Sequence, residues 1–200
     1  MAKPNLSYER AAGGIVAGID EAGRGPWAGP VVAAAAILGT SHPKGIDDSK
    51  KIKSAERERL YDILIGKCRY GVGVATTEEI DRLNILQATK LAMARALENL
   101  GIMPSLALID GNQPPVLPCR VQSIVGGDGI SLSIAAASII AKVTRDRMMR
   151  ELAQQHPGYG WEHNAGYGTP CHQKALASLG VTIHHRRSFK PIRALLEATA

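Results

Sequence analysis

Four carboxylates stand where apolar stretches of this chain give way to glycine. Asp20 and Glu21 close the run Ile15-Val16-Ala17-Gly18-Ile19 and are followed by Ala22-Gly23. Asp110 closes Leu106-Ala107-Leu108-Ile109 and is followed by Gly111, and Asp128 follows Val125-Gly126-Gly127. Carboxylate oxygens are hard donors that suit Mg²⁺ or Mn²⁺. Two such cations about 3.5–4 Å apart can activate water against a phosphodiester. The residues alone leave a plainer reading open. An apolar run ending in Asp-Gly is also an ordinary turn signal, and an Asp-Glu pair usually lies solvated at a surface.

Far apart in the chain, these acids can meet only through the fold. Neighbouring residues on a strand point to opposite faces. Asp20 and Glu21 are therefore expected to converge only if the first strand, over residues 14–19, is ending there. The glycines and prolines of Gly23-Arg24-Gly25-Pro26 say that it is. That segment is not a dinucleotide fingerprint, because its third glycine falls at the wrong spacing and an apolar run follows instead of a helix.

The rest of the chain supplies the frame. A second strand is predicted over 27–38, then a loop whose charge lies in Asp47, Asp48, Lys50, Lys51 and Lys53. Ser54 is placed to cap a helix through about residue 65. A strand follows over 68–75. Thr76 with Glu79 forms a capping box for a short helix, and Asn84 with Gln87 starts another that Gly101 ends. Short strands over 106–109 and 120–125 deliver Asp110 and Asp128. One long helix runs from 131 to about 155, small and apolar on nearly all sides in its first half. Thr169-Pro170 starts a helix by cap and first-turn proline, and a last helix runs from about 191. Residues 1–13 are expected to be a flexible polar segment. Residues 14–200 are expected to form one domain, with about 157–200 as a C-terminal helical part. The element order suggests an α/β protein with a mixed sheet covered by helices, and by itself leaves several such architectures open.

The net charge of +6 favours a polyanionic partner. Cys68, Cys119 and Cys171 form no Cys-x-x-Cys pair, which argues against a disulfide framework or zinc site and fits a reducing cytoplasm. No signal peptide is apparent. The longest apolar-looking run is far short of the roughly 20 residues of a membrane span. A monomer is the default.

The run Gly18-Ile19-Asp20-Glu21-Ala22-Gly23-Arg24-Gly25-Pro26-x-Ala28-Gly29-Pro30-Val31-Val32 resembles the signature of type 2 ribonuclease H, the bacterial ribonuclease HII family. Leu108-Ile109-Asp110-Gly111-Asn112 resembles the family's second acidic motif. Gly127-Asp128, with Ser133 to Asp146 after it, resembles the third. The resemblance spans roughly residues 14–191. It implies a ribonuclease H-like fold, with a mixed five-stranded sheet flanked by helices. It also implies an endonuclease acting on RNA–DNA hybrids and on single ribonucleotides in duplex DNA, cutting on the 5′ side to leave a 3′-hydroxyl and a 5′-phosphate.

The same resemblance implies the roles. Asp20, Glu21, Asp110 and Asp128 would hold two Mn²⁺ or Mg²⁺ ions, with Asp20 bridging. Gly23, Arg24 and Gly25 would meet the ribonucleotide, and Tyr167, in Gly166-Tyr167-Gly168-Thr169, would test its 2′-hydroxyl. Reading that hydroxyl is what separates RNA from DNA at one nucleotide. Asp48-Ser49-Lys50 matches another family element, so Ser49 and Lys50 are phosphate candidates. Lys142 and Arg145 share a helix face and are further candidates, with Arg186, Arg187 and Lys190 as a basic patch. Many relatives carry Lys where Gly126 stands here, which removes one phosphate contact. The histidines show no ligand spacing and are expected at the surface or behind the site. Two rivals remain. Ribonuclease HIII is disfavoured by the short N-terminal segment and by Asp rather than Glu as the last acid. A catalytically silent nucleic-acid-binding module on the same fold is disfavoured by the presence of all four acids.

Overall fold

The computed structural model describes residues 3–39 and 42–198. Five strands form one sheet: β1 (Val16–Ala22), β2 (Val31–Ile37), β3 (Arg69–Ala75), β4 (Leu106–Asp110) and β5 (Arg120–Ile124). The order is β3-β2-β1-β4-β5. β1, β2 and β3 run antiparallel in turn, whereas β4 pairs parallel with β1 and β5 parallel with β4. The mixed five-stranded sheet is thus as expected. β1 sits at its centre, where antiparallel pairing changes to parallel.

Two long helices cover the faces: α4 (Ile85–Glu98) on one side and α5 (Leu132–Gln155) on the other. The pleat of β2 explains the split. Val31, Ala33 and Ala35 pack with Ala92 and Ala96 of α4. Ala34 and Ala36 pack with Ala135, Ala136, Ile139 and Ile140 of α5. Alternate residues face opposite sides, and methyl-sized side chains let both helices approach closely. Helix α2 (Ser54–Lys67) adds Leu60 and Leu64 to the α5 side. Helices α6 (Trp161–Asn164), α7 (Pro170–Leu179) and α8 (Lys190–Ala198) end the described chain. Trp161, Leu176 and Ile192 from them pack with Met149 and Ala153 of α5. No helix among the described residues is long and apolar enough to cross a membrane.

The capping signals fare unevenly. Thr76 and Glu79 form both bonds of the capping box that opens α3 (Thr77–Leu83). Asn84 Oδ1 accepts from the amides of Leu86 and Gln87, and Ser131 caps α5. Ser54 does not cap α2: it is already the first helical residue, and Lys53 precedes it with no side-chain cap. The second strand begins at Val31 rather than 27, since the residues before it cross to the C-terminal part, where the Trp27 amide donates to the Gly166 carbonyl at 2.8 Å.

The largest correction concerns residues 1–13. Met1 and Ala2 lie outside the described residues, but Ser7–Ala12 form a helix, α1. Its Glu9 carboxylate reaches the start of α5. Glu9 Oε1 accepts from Ser131 Oγ (2.6 Å), the Ser133 amide (3.0 Å) and Ser133 Oγ (2.7 Å). A carboxylate against the open amides of a helix N-terminus is favourable on both hydrogen-bonding and dipole grounds. Replacing it leaves the Ser133 amide and one of two buried serine hydroxyls short of an acceptor. Glu9→Ala is therefore expected to cost about 1–3 kcal/mol, read as a fall of several degrees in Tm. An unchanged Tm would show that α1 adds nothing to the domain.

Candidate metal centre

Strand β1 does not stop short of its acids. Asp20 pairs with Ala34 and Glu21 with Ala33, so the two carboxylates leave consecutive pleats on opposite faces. Asp20 lies on the face of Gly18, where β1 touches α5. A Cβ at Gly18 would stand 2.1 Å from the Ser133 carbonyl carbon. That contact brings the start of α5, and the turn before it, against β1. The turn is a single 3₁₀ turn, Gly127–Gly129, carrying Asp128. Gly126 opens it in the left-handed conformation, at φ 66° and ψ 32°, which glycine adopts with little strain. Asp110 ends β4 beside β1, and its Oδ1 accepts from the Gly127 amide at 2.7 Å.

Three carboxylates meet as a result. Oxygens of Asp20, Asp110 and Asp128 all lie within 4.8 Å of one another. Burial, then the charges of Glu21, Asp110 and Asp128, push the Asp20 pKa well above the usual carboxylate range. Asp128 is raised by burial and by the charges of Asp110 and Asp48. Glu21 stands outside this trio. Its Oε1 takes a hydrogen bond from Arg24 Nη1 at 3.2 Å, and its buried Oε2 has no partner. Burial raises its pKa, and Arg24 partly opposes the rise. Lys50 Nζ lies 4.0 Å from Asp128 Oδ2 on an otherwise exposed side chain. Burial alone would lower its pKa, but Asp128, Asp20, Asp48 and Asp110 outweigh that and hold it up.

Such a set is unfavourable by itself. Like charges are pressed together away from water, and one buried oxygen has nothing to bond. A hard divalent cation answers each point with the donor type it prefers. The residues present therefore fit a site for Mg²⁺ or Mn²⁺.

Tyr167 is 48 % exposed, which removes it from the core. Its ring lies beside Gly25, where a Cβ would come within 3.3 Å of Cε1. Gly23, at φ +94°, is packed so closely on Arg145 that a Cβ would fall 1.9 Å from Nε. Gly25 and Tyr167 thus lie side by side.

Other candidates lie elsewhere. Arg145, expected to face a phosphate, is 1 % exposed and donates to the carbonyls of Pro30, Ala165 and Ala28. Arg186 is equally hidden, against the carbonyls of Gly29, Arg24, Gly23 and Pro30. Sequence reasoning set both at the surface, because an arginine carries no sign of burial when its partners are distant carbonyls. Lys142 is half-buried and paired with Asp146 at 2.7 Å. Ser49 is buried, its amide donating to Ser138 Oγ at 3.2 Å. Only Lys50 of the four phosphate candidates stands open beside the acids.

Two histidines are also buried. Thr182 donates its amide to His185 Nδ1 at 2.9 Å. The His185 proton therefore sits on Nε2, which donates to His172 Nε2 at 3.0 Å. His172 then carries its proton on Nδ1 and donates to the Tyr167 carbonyl at 3.0 Å. Burial lowers both pKa values, that of His185 to about 4, so both rings are neutral at pH 7. They hold the Tyr167 loop from behind.

Comparison with known proteins gives one consistent picture. A family model described as Ribonuclease HII matches residues 17–192. The chain is 59% identical over 194 residues to Ribonuclease HII of Paramagnetospirillum magneticum, covering 94% of this chain and 96% of that one. It is 54% identical over 204 residues to Ribonuclease HII of Gluconobacter oxydans, covering 98% of each. The crystal structure of ribonuclease H2 from Pyrococcus horikoshii superposes with a TM-score of 0.77 at 28% identity, over 92% of this chain and 98% of that one.

Proposed function

The chain belongs to the ribonuclease HII family of metal-dependent endoribonucleases that act on the RNA of RNA–DNA hybrids, and we propose that it also incises duplex DNA on the 5′ side of a single embedded ribonucleotide. The products are a 3′-hydroxyl and a 5′-phosphate. The convergence of Asp20, Asp110 and Asp128 within 4.8 Å carries the reading. With Glu21 they would hold two divalent cations, Mn²⁺ or Mg²⁺, which when bound supply an activated water and neutralise charge on the phosphate. Asp20, on the central strand β1, would be the ligand common to both ions.

The chain's own groups do the rest. Gly23, Arg24 and Gly25 lie next to the acids and let the ribonucleotide come close to backbone. Tyr167 offers an exposed ring at the same place for the sugar. Lys50 sets a positive charge beside the acids, suited to the scissile strand's phosphate. Lys142 is a weaker candidate, tied up by Asp146, and Ser49 could reach a phosphate only from a buried position. The enzyme would work as a monomer in the cytoplasm, removing misincorporated ribonucleotides and primer RNA.

The test is cleavage of duplex DNA carrying one ribonucleotide, with Mn²⁺ or Mg²⁺, beside an all-DNA control. A single 5′-side cut, absent from the control and abolished by chelator, supports the reading. Salt-sensitive binding without any cut would favour a silent binding module instead. Tyr167→Ala should lower kcat/KM on this substrate about ten- to a hundred-fold, the range expected for a lost aromatic stacking contact. Because the ring is half exposed, Tm should hold. An unchanged rate would remove Tyr167 from the substrate site.

A further inference from the structure

Arg145 and Arg186 are two buried cations without a carboxylate partner among the described residues: neither takes part in an ion pair, and each guanidinium is spent on backbone carbonyls. Isolated buried charges are costly and rarely kept. Their partners show what they secure. Arg186 binds the Gly23 carbonyl (2.5 Å) and the Arg24 carbonyl (2.8 Å), both in the turn beside the acids. It also binds Gly29 (2.9 Å) and Pro30 (3.1 Å) where β2 begins. Arg145 binds Pro30 (2.9 Å) and Ala28 (3.2 Å), and crosses to Ala165 (3.0 Å), two residues before Tyr167. Between them the two forks tie the turn, the start of β2 and the Tyr167 loop into one body.

Peptide geometry gives this a direct consequence. In a trans peptide the N–H points opposite to the C=O. The Gly23 carbonyl shares its peptide with the Arg24 amide, and the Arg24 carbonyl with the Gly25 amide. With both carbonyls drawn inward to Arg186, both amides face the other way. Neither amide makes a hydrogen bond to another described residue. They are two free donors, held in place next to Tyr167.

We propose that Arg186, assisted by Arg145, is a positioning residue for ribonucleotide specificity: it fixes the turn so that the Arg24 and Gly25 amides are presented to the ribose. This rests on the function proposed above. A lysine at 186 keeps the charge but not the fork, so the four carbonyls can no longer be held together. The effect falls on recognition and not on the acids.

The experiment measures binding in the Asp20→Asn background with Mg²⁺, which removes turnover. Two duplexes are compared, one with a single ribonucleotide and one all-DNA. The parent is expected to prefer the ribonucleotide duplex by about ten-fold or more, the value of one well-placed polar contact. Adding Arg186→Lys should bring that ratio close to one while all-DNA affinity stays as it was. A merely structural role would weaken both duplexes together and leave the ratio intact, and that result would overturn the proposal. If Arg186→Lys does not fold, Arg145→Lys serves as the second variant. It should reduce the ratio by loosening the Ala165 link, and an unchanged ratio there would count equally against the proposal. If the parent itself shows no preference, the underlying functional reading fails and takes this inference with it. A preference that survives in the variants overturns this inference alone.

Discussion

Asp20→Asn is expected to lower cleavage by at least about a thousand-fold, since it removes one of the three carboxylates that converge within 4.8 Å. Duplex binding should be largely retained, because the proposed phosphate contacts come from elsewhere. The same substitution should raise the Tm of the metal-free protein. Burial and three neighbouring acids push the Asp20 pKa well above its ordinary value. A carboxylate with a raised folded-state pKa favours folding most below the ordinary Asp value. That contribution is lost as pH rises through the shifted value. At neutral pH, keeping this carboxyl in its crowded site, ionised or protonated, is therefore a cost that Asn lacks. Melting curves of the metal-free proteins should diverge as pH rises from about 4, with the wild type falling further. Adding Mn²⁺ should raise the wild-type Tm more than that of the variant. Substantial residual turnover, or a variant no more stable than wild type at pH 7 without metal, would contradict the centre described here.

A large effect on stability is expected at Gly18. An added Cβ would lie 2.1 Å from the Ser133 carbonyl carbon, 2.2 Å from the Ile134 nitrogen and 2.4 Å from the Ser133 oxygen. All three are backbone atoms of a buried helix start, so no side chain can swing aside. Gly18→Ala must push α5 off β1, at a cost of about 3 kcal/mol or more. For a chain of this length that is a Tm loss of about 6–12 °C. The shift also carries the Asp128 turn away from Asp20, so Mn²⁺ binding should weaken even in the folded fraction. Gly66 is the control. It is exposed near the end of α2, and nothing lies within 4 Å of where an alanine methyl would stand. Gly66→Ala should be neutral or slightly stabilising. Equal behaviour of the two variants would mean that β1 and α5 are not in the tight contact described.

What could be read in the sequence follows from how far each interaction reaches along the chain. The apolar run of β2, the Thr76–Glu79 box and the small apolar half of α5 are local patterns, and each marked its element. The acids were legible because each sits where an apolar strand meets glycine. Their convergence was not, since it depends on β1 pairing with β4 and on the close passage at Gly18. Arg145 and Arg186 were misplaced for the same reason. An arginine reads as surface by default, and their carbonyl partners lie as far as 115 and 163 positions away. Residues 7–12 looked too polar to fold, yet Glu9 is bound to residues 122 and 124 positions later. Glu21 was expected to join Asp20 at a strand end. The strand instead continues through both, leaving one acid in the trio and the other against Arg24.

The wide spacing of these parts also orders events during synthesis. Asp20 and Glu21 leave the ribosome early, but the trio is incomplete until Asp128 has emerged. The turn beside it has no buried arginine until residues 145 and 186 are made. Until α5 arrives, the Ala34 and Ala36 face of the sheet has lost its main cover. A stalled or clipped chain ending before α5 therefore exposes an apolar surface and has no assembled centre. Such fragments would be recognisable to proteases and chaperones, and they would not be stray nucleases.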